Sequence, residues 1–213
     1  MAACASHEPM KTAGGGLDST GLRKKIPARL LAELRTDHAG ETGAVMIYRG
    51  VLSVSGDQAV LSFARHHLDT ESRHLAIMEG LVPGCWQSRL LPIWRLAGWL
   101  TGAVPSLFGP TAVYATVQAV ETFVDRHYRA QLEMIDALEK PPGRKRSSTA
   151  YHLESDPALT EIRQLLDVCR KDELMHRDEA ASLWPGKPGF LLRIWLHCVN
   201  FGSALAVQVS RKI

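Results

Sequence analysis

The sequence predicts an all-α protein in which four helices form a bundle and additional apolar helices associate with a membrane. Apolar residues recur at helical spacing over three long segments, 57–81, 111–139 and 158–183. Two of these segments each carry a glutamate with a histidine three residues later, Glu71 with His74 and Glu173 with His176. Because residues three apart lie on one face of a helix, each pair can bind a metal ion from a single helix.

The composition indicates one globular domain and excludes nucleic-acid binding. Of the 213 residues, 46% are hydrophobic, which is enough for one sizeable core over residues 26–213. Residues 1–25 are rich in Gly and Ser and are predicted to form a disordered tail. The net charge of +3 is mild and no basic run is interleaved with aromatic residues, so no nucleic-acid partner is expected. The four cysteines lack CxxC spacing and are interpreted as free thiols in a reducing compartment.

The first helix is predicted to begin near Pro27, a residue suited to the first turn, and to continue through Tyr48. It carries Glu41 between Gly40 and Gly43. Glycine inside a helix costs roughly 1 kcal/mol relative to alanine, so two glycines here predict that another group packs close to the backbone. Glu41 alone could be a solvated surface carboxylate, but its apolar neighbours favour a position that faces the bundle.

The segment 111–139 contains the most informative single residue of the chain, Glu121. Apolar residues surround it on a helix that should be largely buried. A buried carboxylate without a partner is strongly destabilising, so Glu121 is expected to be paired or bound to a metal ion. His127 and Tyr128 follow about two turns later and are candidates for redox or proton-transfer roles.

Two further segments, 90–108 and 190–209, are apolar around most of their circumference. The first carries Trp94, Arg95 and Trp99. Tryptophan at the interface and arginine that extends toward the headgroups are typical of helices embedded in a membrane surface, although burial in the bundle core would also account for the first segment. The segment 140–157 is rich in proline, serine and charged residues and is predicted to be a mobile loop.

Four glutamates and two histidines on four helices predict a site for two metal ions. The predicted ligands are Glu41, Glu71, His74, Glu121, Glu173 and His176. Carboxylate and imidazole ligands suit iron or manganese, and four carboxylates balance the charge of two divalent cations, which allows the site to be buried. The coordination remains incomplete, which leaves room for O2. Asp172 is predicted to accept the second ring N–H of a metal-bound histidine.

Several segments resemble the demethoxyubiquinone hydroxylases, also called the Coq7 or CLK-1 family, of the ferritin-like superfamily. These segments are Asp37-His-Ala-Gly-Glu41, Glu71-x-x-His74, Ala119-Val-Glu121 with His127-Tyr128, and Asp172-Glu-Leu-Met-His176. The resemblance covers the chain from about residue 28 to the C-terminus, and its most specific motif is the Asp-His-Ala-Gly-Glu segment. It implies a ferritin-like four-helix bundle in which the six predicted ligands hold two iron ions, a di-iron centre.

The same resemblance implies a reaction and its partners. The enzyme would be a 5-demethoxyubiquinone monooxygenase, which hydroxylates the ring of 5-demethoxyubiquinol, a polyprenyl benzoquinol, with O2 and electrons from NADH in the penultimate step of ubiquinone synthesis. It would lie peripherally on a membrane surface, either the matrix side of the mitochondrial inner membrane or the cytoplasmic face of a bacterial membrane. Eukaryotic members receive the substrate from a lipid-binding partner, Coq9. The sequence does not set the oligomeric state, and a homo-oligomer is one option.

Three other interpretations use the same ligands. A different di-iron enzyme, such as a quinol oxidase or another hydroxylase, would differ in its products. A non-enzymatic ferritin-like iron-binding membrane protein would load iron far beyond two ions per chain. A di-manganese protein is a third interpretation, because carboxylate and imidazole ligands also suit manganese.

Overall fold

The computed structural model describes residues 26–139 and 156–213, and every regular element within these two ranges is helical. The α-helices are α1 Ala28–Val54, α2 Gln58–Leu81, α3 Leu91–Ser106, α4 Pro110–Glu139, α5 Pro157–Ser182 and α6 Phe190–Ser210. A short 3₁₀ helix, Gly84–Trp86, lies between α2 and α3. The predicted all-α fold is therefore confirmed. The predicted helix boundaries lie within one or two residues of the observed ones, except at the end of α1, which continues to Val54, six residues beyond Tyr48.

Side-chain caps explain two of the helix starts. Asp57 precedes α2 and accepts hydrogen bonds from the backbone N–H groups of the second and third residues that follow it. Asp156 caps α5 by accepting a hydrogen bond from the backbone N–H of Ala158, and Pro157 occupies the first helical position. The predicted loop 140–157 is thus wrong at its end, because Pro157 already belongs to α5. The rest of that loop, 140–155, and the predicted tail 1–25 lie outside the described residues.

Helices α1, α2, α4 and α5 form the bundle, and side-chain contacts fix their directions. Tyr48 and Phe63 join α1 to α2 in antiparallel fashion, and the pairs Asp125–Arg170 and Asp136–Arg163 join α4 to α5 in the same way. Contacts of α1 with α4 and of α2 with α5 are also antiparallel. Consequently α2 and α4 run in the same direction, and α3 returns the chain from the end of α2 to the start of α4. One long crossover of this kind is the connectivity of ferritin-like bundles.

Glycines allow α3 to lie directly on the backbone of α1. A Cβ atom at Gly50, Gly98 or Gly102 would overlap backbone atoms of the facing helix, and the neighbour of Gly98 is Gly43. The predicted close approach is therefore confirmed at Gly43. It is wrong at Gly40, where no described atom lies within 4 Å of the position that a Cβ would take.

Replacing Gly98 by alanine is expected to lower the free energy of unfolding by about 1–3 kcal/mol, the usual cost of overpacking, because the new methyl group meets backbone that cannot rotate away. Replacing Gly80 by alanine on α2 is the matched control, since that position is open and the substitution should stabilise the helix by about 0.5–1 kcal/mol. Urea unfolding of both variants measures the difference. Equal stabilities would contradict the glycine-mediated contact.

Two apolar clusters fill the bundle on either side of a polar layer. One cluster contains Leu34, Met78 and Leu166, and the other contains Phe63 and Val117. The predicted metal ligands lie on the same four helices between these clusters, so the polar layer is closed off from solvent along the bundle axis. Each Å² of apolar surface buried in the two clusters stabilises the fold by about 25 cal/mol, and this packing holds the helices in register around the polar layer.

Helix α6 packs against α1 and α4 but leaves most of its apolar surface exposed. Phe190, Leu191 and Phe201 are each about 70% exposed or more. Among the described helices, α6 alone is long and apolar enough to cross a membrane, and length and composition are the only grounds for that assignment. At the end of α6, Arg211 forms an ion pair with Glu33 of α1, 2.9 Å from Nε to Oε1, and this contact fixes the end of the helix against the bundle.

Candidate metal centre

The structure brings all six predicted metal ligands together in the polar layer. Each is at most 4% exposed. Their ligand atoms form two groups within which every pair lies within 4.8 Å: Glu41, Glu71, His74 and Glu173 in one, and Glu71, Glu121, Glu173 and His176 in the other. Glu71 and Glu173 belong to both groups. This arrangement offers each of two ions one histidine and one glutamate of its own and two glutamates that can be shared.

Buried polar atoms without hydrogen bonds show that the cluster fits cations. Both carboxylate oxygens of Glu71, one oxygen of Glu41, one of Glu173 and Nδ1 of His176 are buried with no hydrogen bond of acceptable geometry. Buried polar groups are nearly always paired in folded proteins, so acceptors that face one another suit a shared positive partner, either a proton, as between His176 Nδ1 and Glu71 Oε1 at 2.9 Å, or a metal ion. Divalent iron or manganese matches this set of oxygen and imidazole donors.

The electrostatics of the cluster follow from four carboxylates sharing one buried site. Burial and the neighbouring carboxylates raise the pKa of Glu41 and of Glu121 well above the usual range of a glutamate. Burial also disfavours the ionised form of Glu173, but its contacts with two histidines and Glu121 outweigh burial and lower its pKa to about 2. Burial lowers the pKa of His176, yet its contacts with Glu173 and Glu71 raise it to about 9. Without metal, the cluster therefore holds protons at neutral pH.

Metal binding is expected to release protons and to tighten as the pH rises. The pKa values of Glu41, Glu121 and His176 lie above their usual ranges, so these groups carry protons that a metal ion must displace. Calorimetric titration of the metal-free protein with Mn²⁺ in buffers of different ionisation enthalpy, between about pH 6 and pH 8, measures the proton count. An affinity that is independent of pH would contradict the assignment of these groups as ligands.

Two polar contacts orient the histidines from outside the cluster. Asp172 Oδ2 lies 3.0 Å from Nε2 of His74. Asp172 can therefore accept the ring N–H of a histidine, as predicted, and that histidine lies on α2, not on its own helix α5. On the other side, the buried ring of His67 contacts the ring of His176 at 4.1 Å between centroids, and His67 Nε2 lies 3.0 Å from Glu179. The Asp172 contact leaves Nδ1 of His74 facing the ligand glutamates.

Two tyrosines link α1 and α4, because each donates a hydrogen bond to the candidate ligand glutamate of the other helix. Tyr48 donates a hydrogen bond of 3.2 Å to Glu121, and Tyr128 donates one to Glu41. Each tyrosine follows the glutamate of its own helix by seven residues, and two helical turns place both on one face. Tyr128 was predicted as a functional residue, whereas Tyr48 was missed. The repeated seven-residue spacing was the available signal.

His127, the second predicted catalytic residue, does not contact the metal ligands. Its Nε2 lies 3.1 Å from Asp37 of α1, and its ring lines a cavity beside the cluster. Sequence reasoning did not pair His127 with Asp37, because these residues lie on different helices and 90 positions apart along the chain.

A cavity of about 410 Å³ extends from the cluster outward between α1, α3, α4 and α6. Three of the ligands, Glu41, Glu121 and Glu173, line it together with Tyr128 and His127. Most other lining residues are small or apolar, among them Ala44, Gly98, Val120, Trp195, Val199 and Gly202. Its size and apolar walls suit a small organic molecule, and its polar groups converge at the metal ligands.

The fold and the site together define a class: a four-helix bundle with a buried carboxylate–histidine cluster that can hold a pair of metal ions. The comparison with family models identifies the family within this class. The family "ubiquinone biosynthesis protein COQ7" matches residues 28–210, and the chain belongs to this family.

Curated relatives agree with this assignment. The chain is 31% identical over 195 residues to the 3-demethoxyubiquinol 3-hydroxylase of Rhodospirillum rubrum, which covers 88% of this chain and 80% of the relative. It is 34% identical over 206 residues to the mitochondrial NADPH-dependent 3-demethoxyubiquinone 3-hydroxylase of Dictyostelium discoideum, covering 92% and 82% of the two chains. The mouse protein of the same name is 31% identical over 186 residues, covering 84% and 76%.

Proposed function

We propose that this protein is a di-iron monooxygenase that hydroxylates the ring of demethoxyubiquinol in ubiquinone biosynthesis. The observation that carries the proposal is the cavity that ends on three of the six metal ligands, because it gives a ring-sized molecule access to a metal pair buried on every other side. The relatives of this family are named as hydroxylases of the same quinone intermediate.

The cavity fits the two parts of such a substrate. Its inner end has hydrogen-bonding groups from Tyr128, His127 and the ligand glutamates, which suit the oxygens of a quinol ring. Its outer part is lined by α3 and α6, whose apolar surface can take the polyprenyl tail. Trp94 and Trp195 stand in this outer wall.

The chain's own residues would bind, orient and shield the substrate. A pair of iron ions held by the six ligands would supply the activation of O2. Tyr48 and Tyr128 hold the glutamates of α1 and α4 in place, and the two apolar clusters exclude water along the bundle axis. Tyr128 and His127 are proposed as catalytic residues, because both reach the cavity beside the cluster.

Product analysis tests the reaction. Iron-loaded protein, a short-tailed demethoxyubiquinol, isotopically labelled O2 and a reduced nicotinamide nucleotide are combined, and mass spectrometry follows the quinone. Incorporation of one labelled oxygen atom into the ring is expected. Oxidised but unhydroxylated quinone would identify a quinol oxidase and overturn the proposal. Parallel assays with NADH and NADPH identify the electron source, since the relatives from Dictyostelium and mouse are named as NADPH-dependent.

We further propose that the protein binds peripherally to a membrane through α3, α6 and the residues between α3 and α4. This surface is where a lipid-presenting partner of the Coq9 type, or a second copy of the chain, would also meet the cavity. Leu107 and Phe108 follow α3 and are 72% and 75% exposed. Aromatic and aliphatic side chains in this setting partition into the headgroup–acyl boundary.

Replacing both Leu107 and Phe108 by serine is expected to weaken binding to phosphatidylcholine vesicles by at least about tenfold, because each buried apolar side chain contributes about 1.5–3 kcal/mol and about 1.4 kcal/mol is a factor of ten. Co-sedimentation measures the binding. Val168→Ser on α5, a half-exposed apolar position away from this surface, is the control. Unchanged binding by the double variant would contradict the proposed membrane surface.

A further inference from the structure

Asp37, His127 and Gln131 form a closed triangle of polar atoms beside the cavity. His127 Nε2 lies 3.1 Å from Asp37 Oδ1 and 2.8 Å from Gln131 Nε2, and Gln131 Nε2 donates a hydrogen bond of 2.6 Å to the same Asp37 oxygen. Asp37 and Gln131 are buried, at 4% and 1% exposure. The metal ligands take no part in this triangle.

The triangle gives the His127 ring a partner in each of its protonation states. When Nε2 carries a proton, it donates to the Asp37 carboxylate, both in the imidazolium and in the neutral tautomer that leaves Nδ1 as an acceptor. In the other neutral tautomer Nδ1 carries the proton, and Nε2 accepts from the Gln131 amide. Each form therefore has a hydrogen bond at Nε2, and the tautomer paired with Asp37 is the one that can take up a proton at Nδ1.

The other ring nitrogen remains available to a molecule in the cavity. Among residues 26–139 and 156–213, every hydrogen bond and ion pair of the His127 ring is made through Nε2. The ring lines the cavity and stacks on Phe123 with an interplanar angle of 8°, and Phe123 lines the same wall. Nδ1 is thus the ring nitrogen that is left for a hydrogen bond with a bound quinol hydroxyl.

We infer that Asp37 and Gln131 are positioning residues that make His127 the group that takes up and returns the hydroxyl proton of the bound quinol. This inference rests on the proposed function. In the step, the quinol O–H bond breaks, an N–H bond forms at Nδ1 of His127, and no electron is transferred. The imidazolium is then paired with the Asp37 carboxylate through Nε2. The quinolate that remains is more electron-rich at its ring carbons than the quinol, which favours hydroxylation of the ring. The proton returns to the oxygen of the product.

The charged groups around His127 set the pH range of this step. Burial lowers the pKa of His127, but the hydrogen bond and the charge of Asp37, with a contribution from Glu33 at 3.8 Å, outweigh burial and raise it. Arg211, which pairs with Glu33, opposes this increase. Since His127 acts as a base only when it is neutral, turnover should fall as the pH drops through its pKa.

Substitutions at the two positioning residues are expected to move this pKa in opposite directions. Asp37→Asn removes the partner of the imidazolium and should shift the acid limb of the kcat/KM profile down by about one pH unit or more, since an opposite charge at this distance shifts a pKa by about 1–3 units. Gln131→Met removes an amide N–H that stabilises the ring only when Nε2 is unprotonated, that is, in a neutral form, and should therefore shift the limb upward. Asp125→Asn, which disrupts a buried carboxylate paired with Arg170 and lying outside the cavity, is the matched control and should leave the limb in place.

A second measurement keeps this test separate from that of the reaction. The pKa of His127 is measured by NMR of ring-labelled histidine in Zn²⁺-loaded protein, with His127→Gln identifying the signal. Opposite shifts in Asp37→Asn and Gln131→Met support the positioning roles of these two residues even if the wild type does not hydroxylate the quinol, whereas that failure would refute the proposed function and with it the quinol as the proton donor. If the wild type hydroxylates and neither variant moves the pH limb or the NMR pKa, the inference is wrong. If one variant does not fold, the other still decides it by the sign of its shift.

Discussion

Replacing Glu71 or Glu173 by alanine is expected to remove both metal ions and abolish hydroxylation, whereas replacing a ligand of one group alone should leave one ion bound. Glu71 and Glu173 belong to both four-residue groups, and each of the other four ligands belongs to one. Elemental analysis of iron-loaded protein should therefore give about two ions per chain in the wild type, close to none in Glu71→Ala, and about one in His74→Ala. Activity should be lost in all three ligand variants that retain fewer than two ions.

The fold of these variants is expected to survive. Glu71 and Glu173 lie among other buried carboxylates, so removing one of them in the metal-free protein relieves repulsion. This relief offsets part of the cost of the cavity and of the lost contacts with the histidines, and the two apolar clusters still hold the helices. Circular dichroism should show the helix content of the wild type. Glu79→Ala, an exposed glutamate two turns further along α2, is the control and should bind both ions. Two ions in Glu71→Ala, or loss of its helices, would show that Glu71 is not a shared ligand.

Replacing Gly40 by leucine is expected to lower kcat/KM by about 100-fold while both metal ions stay bound. Gly40 lies between the buried residues Ala39 and Glu41, is itself exposed and lines the cavity. A leucine there has open space in front of it and would fill part of the cavity beside Glu41, one of the predicted ligands that line it. A displacement of about 1 Å from reactive geometry can cost about 100-fold in rate.

The matched control for this variant is Gly80→Leu, which places the same side chain at an open helical position away from the cavity. Steady-state kinetics with short-tailed and long-tailed quinols, together with iron content, measures the effect. An equal loss for both tail lengths indicates a block at the ring position. Wild-type kinetics in Gly40→Leu would show that the substrate does not bind in this cavity.

Most of the fold could be predicted because helix signals are local. Periodic apolar residues, a proline at the helix start and an aspartate cap each act within a few residues, so the starts of α1, α2 and α5 are visible in the sequence. The packing of α3 was only partly predictable. Gly43 indicated a close approach on α1, but nothing local shows that its partner is Gly98 on α3. Gly40 carries the same local signal and faces a cavity instead.

The residues of the candidate site could be predicted from the sequence, but the contacts between them could not. The spacing of Glu71 with His74 and of Glu173 with His176 follows from the helix geometry alone, and Glu121 stands out because its neighbours are apolar. The contact partners of His127 could not be predicted, since Asp37 lies on another helix. In the sequence His127 is an isolated histidine on α4. In the structure its ring is held by the buried residues Asp37 and Gln131.

By itself, the sequence determined the all-α class, the approximate extent of the helices and the set of six candidate ligands, because each depends on the repeat of a single helix or on the chemistry of single side chains. Only the tertiary structure decided which helices face each other and at what height. That choice brings Tyr48 to Glu121, Asp172 to His74 and Asp37 to His127. The axial register of one helix against another arises from the packing of two apolar clusters and from backbone contacts at glycines, and these are properties of several helices together.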